Sequence, residues 1–347
     1  MAVKPNLYEL SLLELETLFE QWGEPSYRAR QLWTWMYEHL ATEFSEMTSL
    51  PKTLRARLEE NAELFVPPVL AQQLSLSGET RKDLLEMHDG EQVEVVLMRY
   101  IDRRTACIST QVGCALGCAF CATGQMGFVR DLTAGEIVAQ VLHFERELAA
   151  QERHLTNVVF MGMGEPFLNY ENTLEAIYRL MHTEGFNFGQ RRMTVSTVGI
   201  ATGIRRFAKE DLQVNLAVSL HAASDNLRDD LMPINRKYPL DKLFAAIGAY
   251  IARTNRQVTF EWALIDGVND TPLQAEALAA RIEGMLAHVN LIPLNPTVGF
   301  AGQPSSPERV EQFTQILDRH HISHTVRLRR GIEISAGCGQ LRRQQDR

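Results

Sequence analysis

From residue 104 onward, this chain of 347 residues alternates short strand-like runs with amphipathic helices, and no other feature limits its fold as much. Strands are expected near 104–109, 157–161, 193–197, 214–220, 257–265 and 288–293, with a further one at 324–328. Helices are expected near 133–149, 171–182, 240–253, 272–287 and 307–320. The first helix is the best signed. Thr133-Ala134-Gly135-Glu136 is a capping box, and Ile137, Val141 and Leu148 line one face. Repeated β–α units imply a parallel sheet, here about six units curled into an open, partial (β/α)6 barrel. In such sheets ligands bind at the carboxyl ends of the strands.

Two smaller pieces precede the barrel. Residues 1–68 read as a small helical domain. Ser11 can cap a helix that Gly23 stops, Pro25 can start a second, and Pro51 can start a third. Pro67-Pro68 marks its end. Residues 69–103 read as a short linking β-sheet, with turns at Ser77-Gly78-Glu79 and His88-Asp89-Gly90. The barrel is expected over 104–330, and 331–347 form a C-terminal loop with a basic tail.

The candidate chemistry falls at the strand ends. Cys114, Cys118 and Cys121 form a C-x₃-C-x₂-C run after the first barrel strand, so three thiolates can converge on a soft metal centre. Three ligands are one short of a closed zinc site or an ordinary iron–sulfur cluster. A four-iron cluster on three cysteines keeps one iron open for another ligand, and that is the favoured reading. Zinc, or an electron-transfer cluster completed by a distant residue, stays as an alternative. Gly162-Met163-Gly164-Glu165-Pro166 ends the second strand; its glycines let a ligand approach the backbone, and Glu165 can accept from an amine. Ser196, then Ser219-Leu220-His221, then Asn295 end later strands.

Five cysteines, an odd number, argue against a disulfide framework and for metal ligation or reactive thiols. No run of 18 apolar residues and no signal-peptide core appear, so a cytoplasmic protein with no membrane partner is expected. The formal charge of −8 does not advertise nucleic acid. The basic residues are nevertheless clustered, at Arg103-Arg104, Arg191-Arg192, Arg205-Arg206 and in six arginines after residue 320. Of the latter, Arg327, Arg329 and Arg330 are candidates for holding RNA phosphates.

Together these motifs resemble a known family. C-x₃-C-x₂-C is the signature of radical S-adenosylmethionine (SAM) enzymes. Cys107-Ile108-Ser109-Thr110-Gln111-Val112-Gly113-Cys114, the Gly162–Pro166 segment, Ser219-Leu220-His221-Ala222 and Ala336-Gly337-Cys338-Gly339-Gln340-Leu341 look like the RNA adenine methyltransferases of the RlmN/Cfr type. The likeness runs from about 90 to 343, and the N-terminal helices fit the RNA-binding accessory domain of the RlmN branch.

The resemblance implies methylation of adenine C2 in 23S ribosomal RNA, with transfer RNA as a second candidate substrate; its rivals are C8 methylation and a non-catalytic iron–sulfur or zinc RNA-binding module. It implies one 4Fe-4S cluster on Cys114, Cys118 and Cys121. It implies SAM contacts at Gly164, Glu165, Ser196, Ser219, Leu220, His221 and Asn295. Cys338 is expected to become S-methylcysteine at the expense of one SAM. A second SAM supplies the radical that activates that methyl group for attack on the base. Cys107 then forms a transient disulfide with Cys338 and frees the product, and Glu94 matches the family's proton acceptor. An electron donor of the flavodoxin or ferredoxin kind and a monomeric state are also expected. One departure is Ala336-Gly337, where members often have two alanines; a more mobile loop is the expectation.

Overall fold

The computed structural model describes residues 4–327 and 330–342. Arg329, and Arg343 and Arg347 of the basic tail, lie outside them. The three N-terminal helices start where their caps predict. Helix α1 (Leu12–Gln21) carries a complete capping box between Ser11 and Glu14, and Gly23 follows at φ +75°. Helices α2 (Ser26–Tyr37) and α3 (Lys52–Asn61) follow Pro25 and Pro51.

Strands β1 (Val69–Leu74), β2 (Thr80–Glu86) and β3 (Gln92–Arg99) form an antiparallel meander. It is not a separate sheet. Strand β3 pairs antiparallel with β4 (Arg104–Ile108), the first strand of the barrel. After β4, a small hairpin of β5 (Gln111–Gly113) and β6 (Phe128–Asp131) encloses the cysteine loop and the short helix α4 (Ala122–Gln125). Then the β–α alternation runs as expected: α5 (Ala134–Ala149), β7 (Asn157–Phe160), α6 (Tyr170–Met181), β8 (Met193–Thr197), α7 (Ala201–Phe207), β9 (Asn215–Ser219), α8 (Asp225–Leu231), α9 (Leu240–Thr254), β10 (Val258–Leu264), α10 (Pro272–Ile282), β11 (Ala287–Pro293), α11 (Pro307–Arg319) and β12 (His324–Val326). The order β1-β2-β3-β4-β7-β8-β9-β10-β11-β12 makes one ten-stranded sheet, parallel from β4 to β12.

The expected strands fall within a residue or two of those observed. The hairpin, α7 and α8 are absent from the sequence reading. Helix α7 is short and interrupted by Gly203, which weakens its pattern. That glycine is needed: a β-carbon there would lie 2.7 Å from the Phe167 side chain. Helix α10 stops at Ile282, five residues early, because Gly284 turns the chain at φ +73°. The capped helix α5 buries Ile137, Val141 and Leu148 against the sheet, as the periodicity requires. The main apolar core runs from Leu15 and Trp33 of the N-terminal helices to Phe313 of α11, and a smaller cluster gathers Cys118, Ala222, Leu231, Met232, Ile265 and Leu294. No helix among the described residues is long and apolar enough to cross a membrane.

Candidate active site

The carboxyl ends of β7, β8, β9, β10 and β11 surround a cavity that Cys118, Cys121 and Cys338 also line. Gly164, Glu165, Ser196, Ser219, His221 and Asn295 line it as well. Leu220 does not. It is fully buried, and its carbonyl accepts from Arg228 Nε at 3.1 Å.

The cysteine loop is shaped by backbone. Gly113 at φ +77° stands where a β-carbon would lie 2.1 Å from the Gly127 carbonyl oxygen, so only glycine lets the hairpin close. Burial pushes the Cys114 thiol up to about 12 and moves Cys118 the same way, and the neighbouring Cys121 thiol adds to both shifts. Such thiols give up their protons to a metal cation. Among the described residues no three His, Cys, Asp or Glu side chains are grouped as ligands of one ion.

Arg228, on helix α8, was not singled out by the sequence reading. It is fully buried and donates to the carbonyls of Val198 (2.6 Å), Ser219 (3.2 Å) and Leu220, and to Asn235 Oδ1 (2.9 Å). It thus ties the ends of β8 and β9 together. Its positive charge also acts on the Cys118 thiol and favours the thiolate.

The other strand-end groups are held for specific tasks. Desolvation raises the Glu165 carboxyl to about 7, although its two oxygens accept from Phe167 N (3.0 Å) and Val198 N (2.8 Å). His221 has φ +56°, and burial lowers its imidazole to about 3, so the ring is neutral. Its Nδ1 accepts from Ala263 N at 2.8 Å, which leaves the proton on Nε2. Asn295 donates from Nδ2 to the Cys338 carbonyl at 3.1 Å, while its buried Oδ1 has no partner. An orphaned acceptor on the wall of a partly apolar cavity fits a ligand bearing amine donors, as SAM does.

Cys338 lies in a loop pinned on both sides. Gly337 N donates to Gln340 Oε1, Gln340 Nε2 to the Pro296 carbonyl, Ala122 N to the Gly339 carbonyl, and Thr123 Oγ1 to the Leu341 carbonyl. These contacts hold the loop in one place, where the sequence led to an expectation of mobility. Gly337 serves close approach instead: a β-carbon there would meet Asn295 Nδ2 at 2.6 Å and Gln340 Oε1 at 2.8 Å. The loop roofs the cavity and leaves about 150 Å3 beneath it. Small-molecule sites usually span roughly 300–1,000 Å3, so the space under the loop as it stands is small for one.

The Cys338 side chain is exposed, and it lines two cavities. A second, smaller cavity joins it to Cys107 and Arg327. Burial pushes the Cys107 thiol up to about 12, and it raises Cys338 too, against the opposing charge of Arg327. Arg327 Nη1 approaches Cys338 Sγ at 3.8 Å. It is thus not a free phosphate ligand, and Arg330 is committed to an ion pair with Glu79. Both cysteines are free thiols, so no disulfide joins them in this structure.

Glu94 is elsewhere. It lines neither cavity. Its Oε1 pairs with Lys82 Nζ at 2.7 Å and its Oε2 accepts from Arg342 N at 2.7 Å, in a buried setting. Glu261, by contrast, is a cavity residue that sequence reasoning missed. Burial raises it to about 7. A lone carboxylate in the apolar run Val258-Thr259-Phe260-Glu261-Trp262-Ala263-Leu264 was the available signal.

An open parallel barrel with a three-cysteine loop after its first strand and two further thiols facing a shared cavity defines a radical SAM enzyme. Residues 108–278 match the Radical SAM superfamily, and residues 5–64 match the Ribosomal RNA large subunit methyltransferase N-terminal domain. A probable dual-specificity RNA methyltransferase RlmN from Chloroflexus aurantiacus is 50% identical over 96% of this chain and 92% of its own. Dual-specificity RNA methyltransferase RlmN 1 from Myxococcus xanthus is 49% identical over 97% and 94%. The crystal structure of a radical SAM methyltransferase from Sphaerobacter thermophilus superimposes with a TM-score of 0.94 at 52% identity, covering 97% of this chain and 99% of that one. The chain belongs to the RlmN family of radical SAM RNA methyltransferases.

Proposed function

We propose that the chain methylates C2 of an adenine in 23S ribosomal RNA, and an adenine of transfer RNA, through a methyl group carried on Cys338. The observation that carries this reading is the shared cavity of Cys107 and Cys338 beside the three-cysteine loop. The relatives described as dual-specificity RNA methyltransferases support two RNA substrates, and the N-terminal domain match supports ribosomal RNA as one of them.

Cys114, Cys118 and Cys121 would hold a 4Fe-4S cluster, which supplies the electron that splits SAM and so the radical that activates a methyl group. Gly164, Glu165, Ser196, Ser219, His221 and Asn295 would hold SAM, with neutral His221 offering its Nε2 proton as a donor. Cys338 accepts the first methyl group and presents it to both cavities. Once the resulting carbon is bonded to adenine, enzyme and RNA are one molecule. The Cys107 thiolate attacks the Cys338 sulfur, an S–S bond forms, and the carbon–sulfur bond breaks with its electron pair passing to the departing carbon, which takes a proton. Arg327, beside both sulfurs, favours the thiolate. We assign Glu94 to holding the Cys338 loop, because both of its oxygens are engaged there.

The test is mass spectrometry of RNA after reaction with anaerobically reconstituted protein and SAM. 2-Methyladenosine is expected from the wild type and none from Cys338→Ala. Cys107→Ala should stall as a protein–RNA adduct on a denaturing gel. 8-Methyladenosine would overturn the regiochemistry, and free product from Cys107→Ala at the normal rate would overturn its role.

A further inference from the structure

Below the candidate SAM cavity the barrel interior does not fill. A closed (β/α)₈ barrel packs its interior with bulky branched side chains. Here Thr194, Asn215, Thr259 and Asn290, near the amino ends of β8 to β11, border a cavity of about 740 Å3. It lies toward the amino ends of the strands, opposite the cysteine loop. Three arginines stand at this mouth: Arg103 just before β4, Arg191 just before β8 and Arg256 just before β10.

Among the described residues none of the three has a carboxylate within ion-pairing distance. Arg103 lies over the Tyr100 ring at 4.1 Å. Arg191 donates to Gln213, and Arg256 to Asn215, with its own Nε buried and unpartnered. Other arginines of the chain, such as Arg130, Arg179 and Arg206, are neutralised by glutamates. Unneutralised guanidinium groups around one polar opening attract an anion.

The lower cavity adjoins the cavities that hold the reacting sulfur. Met161 and Arg327 line both it and the Cys107–Cys338 cavity, and Glu261 lines both it and the upper cavity. Among the described residues, only Met161, Glu261 and Arg327 stand between the lower cavity and those that Cys338 lines. The upper side is roofed by the Cys338 loop and, on the reading above, takes SAM. The lower side is open, polar and as large as ordinary ligand sites. A base that reacts at a ring carbon must leave its stack and enter a pocket, while its flanking phosphates stay outside.

We propose that the target nucleotide enters through the amino-terminal mouth of the barrel, with Arg103, Arg191 and Arg256 holding the phosphates that flank it. This rests on the RNA-methyltransferase reading above. The test measures binding of an RNA hairpin with one unpaired adenosine to the full-length protein at two salt concentrations. R103A/R191A/R256A should bind at least ~10-fold more weakly, and its salt slope should fall by about three. R205A/K209A/K242A, an equal loss of charge on exposed outer positions, should lose less than about twofold, since surface charges beyond a Debye length are largely screened. A 4-thiouridine beside the adenosine should crosslink to peptides around Arg191 or Arg256. Equal losses in both triple variants, wild-type affinity in the first, or crosslinks confined to the Cys338 loop would overturn this door while leaving RNA methylation standing. A wild type that binds and methylates no RNA would overturn both.

Discussion

At the scale of single residues, small groups position large chemistry. Gly337 leaves room for Asn295 to hold the Cys338 carbonyl, and an added methyl group would displace that amide. Both clashing atoms are ends of side chains and can move. Gly337→Ala should therefore cost only about 1 kcal/mol of stability, the net worth of one hydrogen bond. Methyl transfer to RNA should slow roughly tenfold, because misplacing a reacting group by an ångström costs about that or more. A urea titration and a single-turnover assay separate the two effects; unchanged transfer would show that the Asn295 contact does not position Cys338. Glu261 makes a pH prediction. Its folded value of about 7 lies above the usual carboxylate value of 4.5, so the unfolded chain loses that proton first as pH rises. Stability is present in full below about pH 4.5 and is lost as pH rises towards 7. Glu261→Gln keeps an acceptor for Asn290 Nδ2, at 2.8 Å in the wild type, and removes that loss. The fall in melting temperature between pH 5 and pH 8 should be smaller in the variant. A fall of equal size would mean that Glu261 is ionised throughout.

At the scale of elements, the Lys82–Glu94 pair acts as a latch between the β2–β3 hairpin and the Cys338 loop. Glu94 holds Arg342 N after the loop, and Lys82 Nζ reaches the Ser335 carbonyl before it at 3.4 Å. Breaking a buried pair from one side costs about 3–5 kcal/mol, because a charge is left behind. Glu94→Ala should therefore destabilise the chain more than Lys82→Met/Glu94→Ala together. Either should let an alkylating reagent reach Cys338 faster, read by mass spectrometry. If Cys338 reacts at the wild-type rate in both, the latch does not hold the loop. This device was illegible in the sequence, where Glu94 is one polar residue in an alternating strand and Lys82 another. The strand ends, by contrast, were legible. Strand-like runs alternating with amphipathic helices located β7 to β11, and the carboxyl-end rule gathered Cys118, Glu165, Ser196, His221 and Asn295. What escaped were contacts between residues distant in sequence: Arg228 under three carbonyls, and Arg327 turned inward to Cys338 rather than outward to phosphate.

At the scale of the whole molecule, the N-terminal helices are fitted to the barrel too closely to be an appendage. Arg179 of α6 is buried and donates to the carbonyls of Tyr8 and Glu9, and Arg146 of α5 reaches Tyr8 Oη at 2.8 Å. A β-carbon on Gly135 would lie 2.6 Å from the Tyr8 carbonyl oxygen. Alanine favours a helix interior over glycine by about 1 kcal/mol, but overpacking against a backbone atom costs about 1–3 kcal/mol. Gly135→Ala should thus lower the urea midpoint, with one cooperative transition for the whole chain. A raised midpoint would show that the interface yields. The same fit bears on synthesis. The ribosome completes residues 4–64 long before it makes α5 and α6, an interval on the order of ten seconds at ordinary elongation rates. Throughout it the side of the helices that carries Tyr8, Trp33 and Tyr37 has nothing to dock on, and those aromatic rings are open to any chaperone that binds bare apolar surface.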